Sequence, residues 1–393
     1  MIYIVILIYL LLLMFLHDYK DYKRNKSFWY YVTLYIFILL TGLRYRIGSD
    51  TLAYEVAFNN VPKLSSLTYS YLMDISDFEI GYTVLMSVSK TIFDKFWVFL
   101  FLQSIMVNVL IFDFFKKYST HVFTAILAYY IILYYYVNCE VARQGIALAI
   151  LLFSWKYFVS RKWIKYIIFV FIASLFHTTA CVFIMMPILF VLNLWSFLKP
   201  SLLLLIILML LIAFSPFIGQ KLLQSLVALS VGGDVGNKID FYFSTDKEVI
   251  GLGGMTTIAY FVSYICLPFF ALRNNKDIND IIHMFMLGCL INVSVGIPMV
   301  YRLSYYFMPF FIVAIANTLF KTKVTKKEEV LLSKRYVNQM VLVLFVFFLS
   351  YKTYGYFAQE ISSNLKVYMR FYPYNSIIDK GIDENREKLF RML

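Results

Sequence analysis

Ile2-Tyr3-Ile4-Val5-Ile6-Leu7-Ile8-Tyr9-Leu10-Leu11-Leu12-Leu13-Met14-Phe15-Leu16 contains no charged side chain, and Lys20, Lys23, Arg24 and Lys26 follow directly after it. Such a block has no polar stripe to turn towards water, so it reads as a helix surrounded by hydrocarbon. With no basic residue before it and four after it, it reads as a retained anchor whose amino terminus faces away from the cytosol, rather than a cleaved leader. The pattern recurs along the chain. Leu202–Phe214 is also free of charge, and many apolar blocks are separated by short clusters of Lys and Arg. Apolar residues make up 61% of the 393 residues and charged ones only 15%, with a mean hydropathy of +0.74. A soluble domain carries roughly 25% charged residues, so this chain lacks the polar surface to cover a soluble fold. The expected class is all-α: a polytopic integral membrane protein.

A span needs about 17–25 apolar residues, fewer where flanking groups snorkel. That rule places about twelve transmembrane helices near 2–16, 28–43, 96–115, 120–137, 142–159, 164–178, 179–197, 201–218, 255–272, 279–300, 303–320 and 336–351. The apolar tract from Ile164 to Leu198 is too long for one span and is expected to turn near His177. Phe78–Phe93 carries Glu79 and Lys90 and is expected to be a non-crossing or re-entrant helix. With that choice, half of the 36 basic residues fall in loops on one side, as the positive-inside rule requires. The expected layout is one helical domain over 1–351, with outer loops at 44–95 and 219–254 and an amphipathic tail at 352–393 that holds seven basic and five acidic residues.

The net charge of +13 is accounted for by membrane topology, and no nucleic-acid partner is expected. Cys139, Cys181, Cys266 and Cys289 lack CxxC spacing and read as small apolar fillers. No metal site and no cofactor is expected, and there is no P-loop, HExxH, GxSxG or DxD-type pair to support a nucleotide-sugar site.

Polar groups at the outer ends of spans carry the chemical information. Arg44-Tyr45-Arg46-Ile47-Gly48-Ser49-Asp50-Thr51 puts two arginines outside, against the usual topological preference, with Tyr54 and Glu55 following. Guanidinium groups bind phosphate bidentately. Interfacial anchoring with a plain turn is the blander reading, and Asp50 could either orient an arginine or accept a proton. In Asn138-Cys139-Glu140-Val141-Ala142-Arg143-Gln144, Asn138 suits a helix N-cap, and Glu140, Arg143 and Gln144 share a helical face. Arg143 would either meet an anion there or form a local pair with Glu140. His177, in a turn, is either a hydrogen-bonded structural residue or a general base. Arg302 stands at another outer junction, where anchoring in an aromatic belt is the alternative.

The order Arg46-x-Gly48-x-Asp50-x-x-x-Tyr54, Glu79-x-Gly81-Tyr82, Arg143-Gln144-x-Ile146-Ala147 and Ala173-x-x-Phe176-His177 resembles the EpsG family of Wzy-like exopolysaccharide and O-antigen polymerases. The resemblance implies a GT-C-like, metal-independent, inverting membrane glycosyltransferase in the bacterial inner membrane. Its donor and acceptor would be oligosaccharides linked to undecaprenyl pyrophosphate, and the bilayer, a chain-length regulator and a flippase would be partners. Arg46 and Arg143, with Arg44 and Arg302, would then stabilise the leaving pyrophosphate. Tyr54 and Gln144 would line the substrate site, and Asp50 or His177 would be the base. An O-antigen-ligase-like transferase and a lipid-linked glycan flippase remain as alternatives.

Overall fold

The computed structural model describes residues 2–192, 259, 262–274, 280–293, 298–319, 328–362 and 365–392. The expected span at 201–218 and loop at 219–254 lie outside the described residues. The chain forms two compact units, residues 1–187 with 352–393, and residues 188–351.

The first unit is built from α1 (Ile2–Leu13), α2 (Lys26–Gly42), α3 (Thr51–Asn60), α4 (Ile80–Ile92), α5 (Phe96–Tyr118), α6 (Val122–Ile132), α7 (Ala142–Val159), α8 (Trp163–Ser174) and α9, which begins at Met185 and ends at Val191 beyond the unit boundary. α1 continues through a wide π-helical turn at Met14–Tyr19. At about 1.5 Å per residue, the 17 residues of α2 and the 18 of α7 each approach the roughly 30 Å of a hydrocarbon core. The second unit contains α10 (Leu267–Asn274), α11 (Asp280–Val293), α12 (Pro298–Leu319) and most of α13 (Glu328–Ala358). Among the described residues, three stretches are long and apolar enough to cross a bilayer: Ile2–Tyr19, Phe96–Tyr118 and Asn338–Ala358. Together with several shorter apolar helices, they make this an all-α membrane protein.

The long helices of the first unit run between two ends. α2 and α5 are antiparallel: Gly42 at the end of α2 packs on Phe101 near the start of α5, while Lys116 near the other end donates to the Tyr31 hydroxyl at 3.1 Å. The segment 43–95 therefore leaves and returns at the same end of this pair. α4, only 13 residues long, lies within that segment. The opposite end carries Lys20, Lys23, Arg24, Lys26, Lys116, Lys117, Arg161 and Lys162. There Asp18 accepts from Lys26 at 3.2 Å and from the Thr124 amide at 2.7 Å, and Lys117 pairs with Asp113 at 2.6 Å.

A buried polar seam ties these helices together. The Ser104 hydroxyl meets Thr41 at 2.8 Å, and Asn108 Nδ2 donates to Asn138 Oδ1 at 3.0 Å. Asn138 in turn donates to the Tyr134 carbonyl at 2.9 Å. Interhelical hydrogen bonds in lipid contribute about 0.6–2 kcal/mol each, and here they fix α2, α5 and the α6–α7 connection in one register. This corrects the capping expected for α7. Tyr136–Glu140 is a π-helical turn, Asn138 points into the core, and α7 starts after Val141 with no side-chain cap.

The described residues 359–362 and 365–392, part of the first unit, lie at the end opposite the lysine-rich one. They contain a short antiparallel ribbon of β1 (Glu360–Ser362) and β2 (Leu365–Lys366), and end in α14 (Glu384–Met392). Phe371 joins Ile47 and Cys139 in a small buried cluster.

Candidate active site

The loop after α2 is shaped by distant parts of the chain. The Gly48 amide donates to the Arg370 carbonyl at 3.0 Å, and Gly48 adopts φ +94°. A Cβ there would lie 2.4 Å from the Cys139 carbonyl oxygen, so only glycine fits. The next residue, Ser49, donates through its amide to Glu140 at 3.0 Å, and through its hydroxyl to the other carboxylate oxygen. Glu140 is thereby committed to the loop, not to Arg143. Val141 breaks the helix between them, so the shared face expected for Glu140, Arg143 and Gln144 does not form.

Arg143 turns to α4 instead. Its Nη1 donates to Glu79 Oε2 at 2.5 Å, and its guanidinium lies over the Phe78 ring at 4.7 Å. The other Glu79 oxygen meets His177 Nδ1 at 2.9 Å. The backbone supports this approach: the Gly81 amide donates to the Leu175 carbonyl at 2.8 Å, and a Cβ on Gly81 would lie equally close to that oxygen. Burial alone would raise the Glu79 carboxyl, but the His177 hydrogen bond and the Arg143 charge outweigh it and hold it down at about 2. Glu79 is therefore ionised and can only accept. His177 Nδ1 must then carry the hydrogen, and in the neutral ring Nε2 is left as a lone-pair base.

Tyr54 lies beside this triad, fully buried, with its hydroxyl donating to the Glu140 carbonyl at 3.2 Å. Burial, and then the nearby Asp50 charge, push its hydroxyl above the ordinary value, while Arg143 acts in the opposite direction. Asp50 precedes α3 and accepts the Tyr54 amide through its carbonyl at 3.1 Å. The fold thus gathers Asp50 and Tyr54, Arg143, and His177, from three sequence motifs, around Glu79 of a fourth.

The two loop arginines behave differently. Arg46 forms a forked pair with Glu387 of α14, with Nε and Nη2 each 2.7 Å from a carboxylate oxygen. That pair raises its pKa further. Arg44 is 1% exposed. Its Nη1 donates to the Thr41 carbonyl at 2.5 Å, while Nε and Nη2 are buried with no hydrogen-bond partner. Gln144 is buried in α7. Arg302 stands near the start of α12, in the second unit. Among the described residues, no group of three or more His, Cys, Asp or Glu side chains is placed to hold a metal ion.

A family model described as the EpsG family matches residues 27–376, a span that includes every motif of this site. The chain belongs to the EpsG family. No curated protein and no solved structure shows significant similarity to it. Within this EpsG protein, Glu79 is the site residue that sequence reasoning passed over as a helix opening. Its one local signal is a carboxylate at the mouth of an otherwise apolar helix. Arg370 and Arg386 were passed over as tail charges, and no local signal marks them.

Proposed function

We propose that this EpsG protein is a polysaccharide polymerase that joins undecaprenyl-pyrophosphate-linked oligosaccharide repeat units on the outer face of the bacterial inner membrane. The observation that carries this reading is the Glu79 carboxylate holding Arg143 by one oxygen and His177 by the other. One carboxylate thus places an anion-binding cation and a proton acceptor side by side. The lysine-rich end of the first unit is the cytosolic one by the positive-inside rule, which puts Glu79, Arg143 and His177 outside. About twelve spans in a GT-C-like body would carry the site.

In this mechanism an acceptor hydroxyl attacks the anomeric carbon of the donor glycan, in line with its bond to pyrophosphate. His177 Nε2 takes the hydroxyl proton. The C–O bond to phosphate breaks with inversion, and its electron pair stays on the leaving lipid pyrophosphate. Arg143, and the unspent donors of Arg44, stabilise that growing charge. Asp50 orients the start of α3 beside Tyr54. Arg46, engaged by Glu387, holds the loop in place.

The test is the glycan of a deletion strain. Loss of long chains while single repeat units still reach the surface supports the polymerase. Long chains stranded on the lipid carrier would instead identify a ligase-like transferase.

A further inference from the structure

The last segment of the chain is interlocked with the loop that carries Arg44 and Arg46. The Tyr45 amide donates to the Asn375 carbonyl at 2.8 Å, the Ile377 amide to the Leu43 carbonyl at 3.0 Å, and the Gly48 amide to the Arg370 carbonyl at 3.0 Å. Arg386, 1% exposed, closes the junction. It donates to the Arg46 carbonyl at 3.0 Å, to the Met369 carbonyl at 3.5 Å and to the Pro373 carbonyl. Groups that share backbone hydrogen bonds share a membrane face. Residues 365–392 therefore stand wherever residues 43–51 stand.

This interlock brings a further guanidinium to the site. Arg370 Nη1 forms a loose ion pair with Glu140 Oε2 at 3.9 Å, too long for a hydrogen bond, and both Glu140 oxygens already accept from Ser49. Arg370 Nε is buried with no hydrogen-bond partner. Arg44, on the same loop, is buried with two nitrogens likewise unspent. Buried guanidinium donors call for acceptors, and an anion with several oxygens is the ligand that supplies them. We propose that Arg370, carried by the C-terminal segment onto the Gly48 turn of the loop that bears the two unspent nitrogens of Arg44, is a further pyrophosphate-binding residue on the outer face. The inference rests on the anion-site reading above and extends it to the far end of the chain. Arg386 is a positioning residue: its donors all go to backbone carbonyls.

The experiment uses the full-length protein in lipid nanodiscs, with radiolabelled inorganic pyrophosphate as the probe. Arg370→Gln should weaken binding at least tenfold and Arg370→Lys by less, while Lys380→Gln on the same segment should bind as the parent does. Unchanged binding by Arg370→Gln, with Arg143→Gln binding weakly, overturns the role of Arg370 and leaves the anion site standing. A parent protein that binds no pyrophosphate overturns both. A second measurement does not depend on the folding of the Arg370 variants. In a Cys181→Ser background, which removes the exposed native thiol, Ile378→Cys, at a position 86% exposed, and Tyr69→Cys, at one 74% exposed, should both react with a membrane-impermeant maleimide in intact spheroplasts. Labelling of Tyr69→Cys alone, with Ile378→Cys reacting only after lysis, places the tail on the other face and sinks the proposal.

Discussion

Arg46 and Glu387 lie 341 positions apart in sequence and face each other through two hydrogen bonds of 2.7 Å each. Both side chains are roughly four-fifths buried, and the Arg46 guanidinium also lies 5.8 Å from the Phe390 ring centroid. A forked arginine–carboxylate pair in this setting is a positional lock. Reversing either charge alone, Arg46→Glu or Glu387→Arg, should cost about 1.5–3 kcal/mol. The double reversal should regain much of that, read as thermal unfolding in detergent. If the double variant recovers stability but not polymerisation, Arg46 also touches substrate. If it recovers both, the pair is purely positional.

Glu79 has two partners, and its substitution should disturb both. Glu79→Gln keeps the size but removes the ionised acceptor, so His177 loses the group that fixes its tautomer and Arg143 loses its counter-charge. Polymerisation of lipid-linked repeat units should fall on the order of 10²–10⁴-fold, the range for a misaligned general base. The pH dependence carries a definite sign. The Glu79 carboxyl is depressed from 4.5 to about 2, because the His177 bond and the Arg143 charge outweigh burial. Its contribution to stability is thus complete above pH 4.5, and is lost as pH falls through about 2. The Gln variant should show a shallower loss of stability across that window than the parent. Identical acid profiles would mean that the carboxylate is not engaged as described.

Gly48 and Gly81 belong to short motifs whose spacing is visible in the sequence, and the structure supplies a reason for each. Gly48→Ala forces a Cβ towards the Cys139 carbonyl at a positive φ. A non-glycine residue in such a conformation costs about 1–3 kcal/mol before any clash is counted. A drop of several degrees in the unfolding temperature is expected, together with weakened pyrophosphate binding, because the Gly48 amide anchors the Arg370 carbonyl. Gly81→Ala should act through the α4–α8 contact instead, by pushing Leu175 and with it His177 away from Glu79.

The all-α membrane character was legible because charge-free runs and basic clusters alternate along the chain. The site was legible only in part. Asp50, Tyr54, Arg143 and His177 are each marked by polar residues at the end of an apolar run. Glu79 stood in one of the quoted motifs and at the mouth of an apolar helix, but its role was not legible, since its partners lie 64 and 98 residues away and no local spacing announces them. Asn138 was misread as a cap because a π-helical turn rotates it into the core, a choice made by Asn108 on another helix. The tail was read as an appendix because its role depends on backbone bonds to residues 43–51, which carry no residue-type signature.

Two residues compete for the role of base, and the geometry separates them. His177 is held by Glu79 in the tautomer that leaves Nε2 free of hydrogen, whereas Asp50 is placed at the amino end of α3 and acts on the buried Tyr54 hydroxyl. His177→Gln preserves hydrogen-bonding capacity but removes the titratable ring. It should lower the polymerisation rate at least about 100-fold, with pyrophosphate binding retained. Asp50→Asn should keep the rate within about tenfold of the parent, since an amide can still occupy the same place near the start of α3. Single-turnover measurements with purified lipid-linked repeat units decide between them. If Asp50→Asn abolishes turnover while His177→Gln retains it, the proton goes to the aspartate, and His177 becomes a structural partner of Glu79.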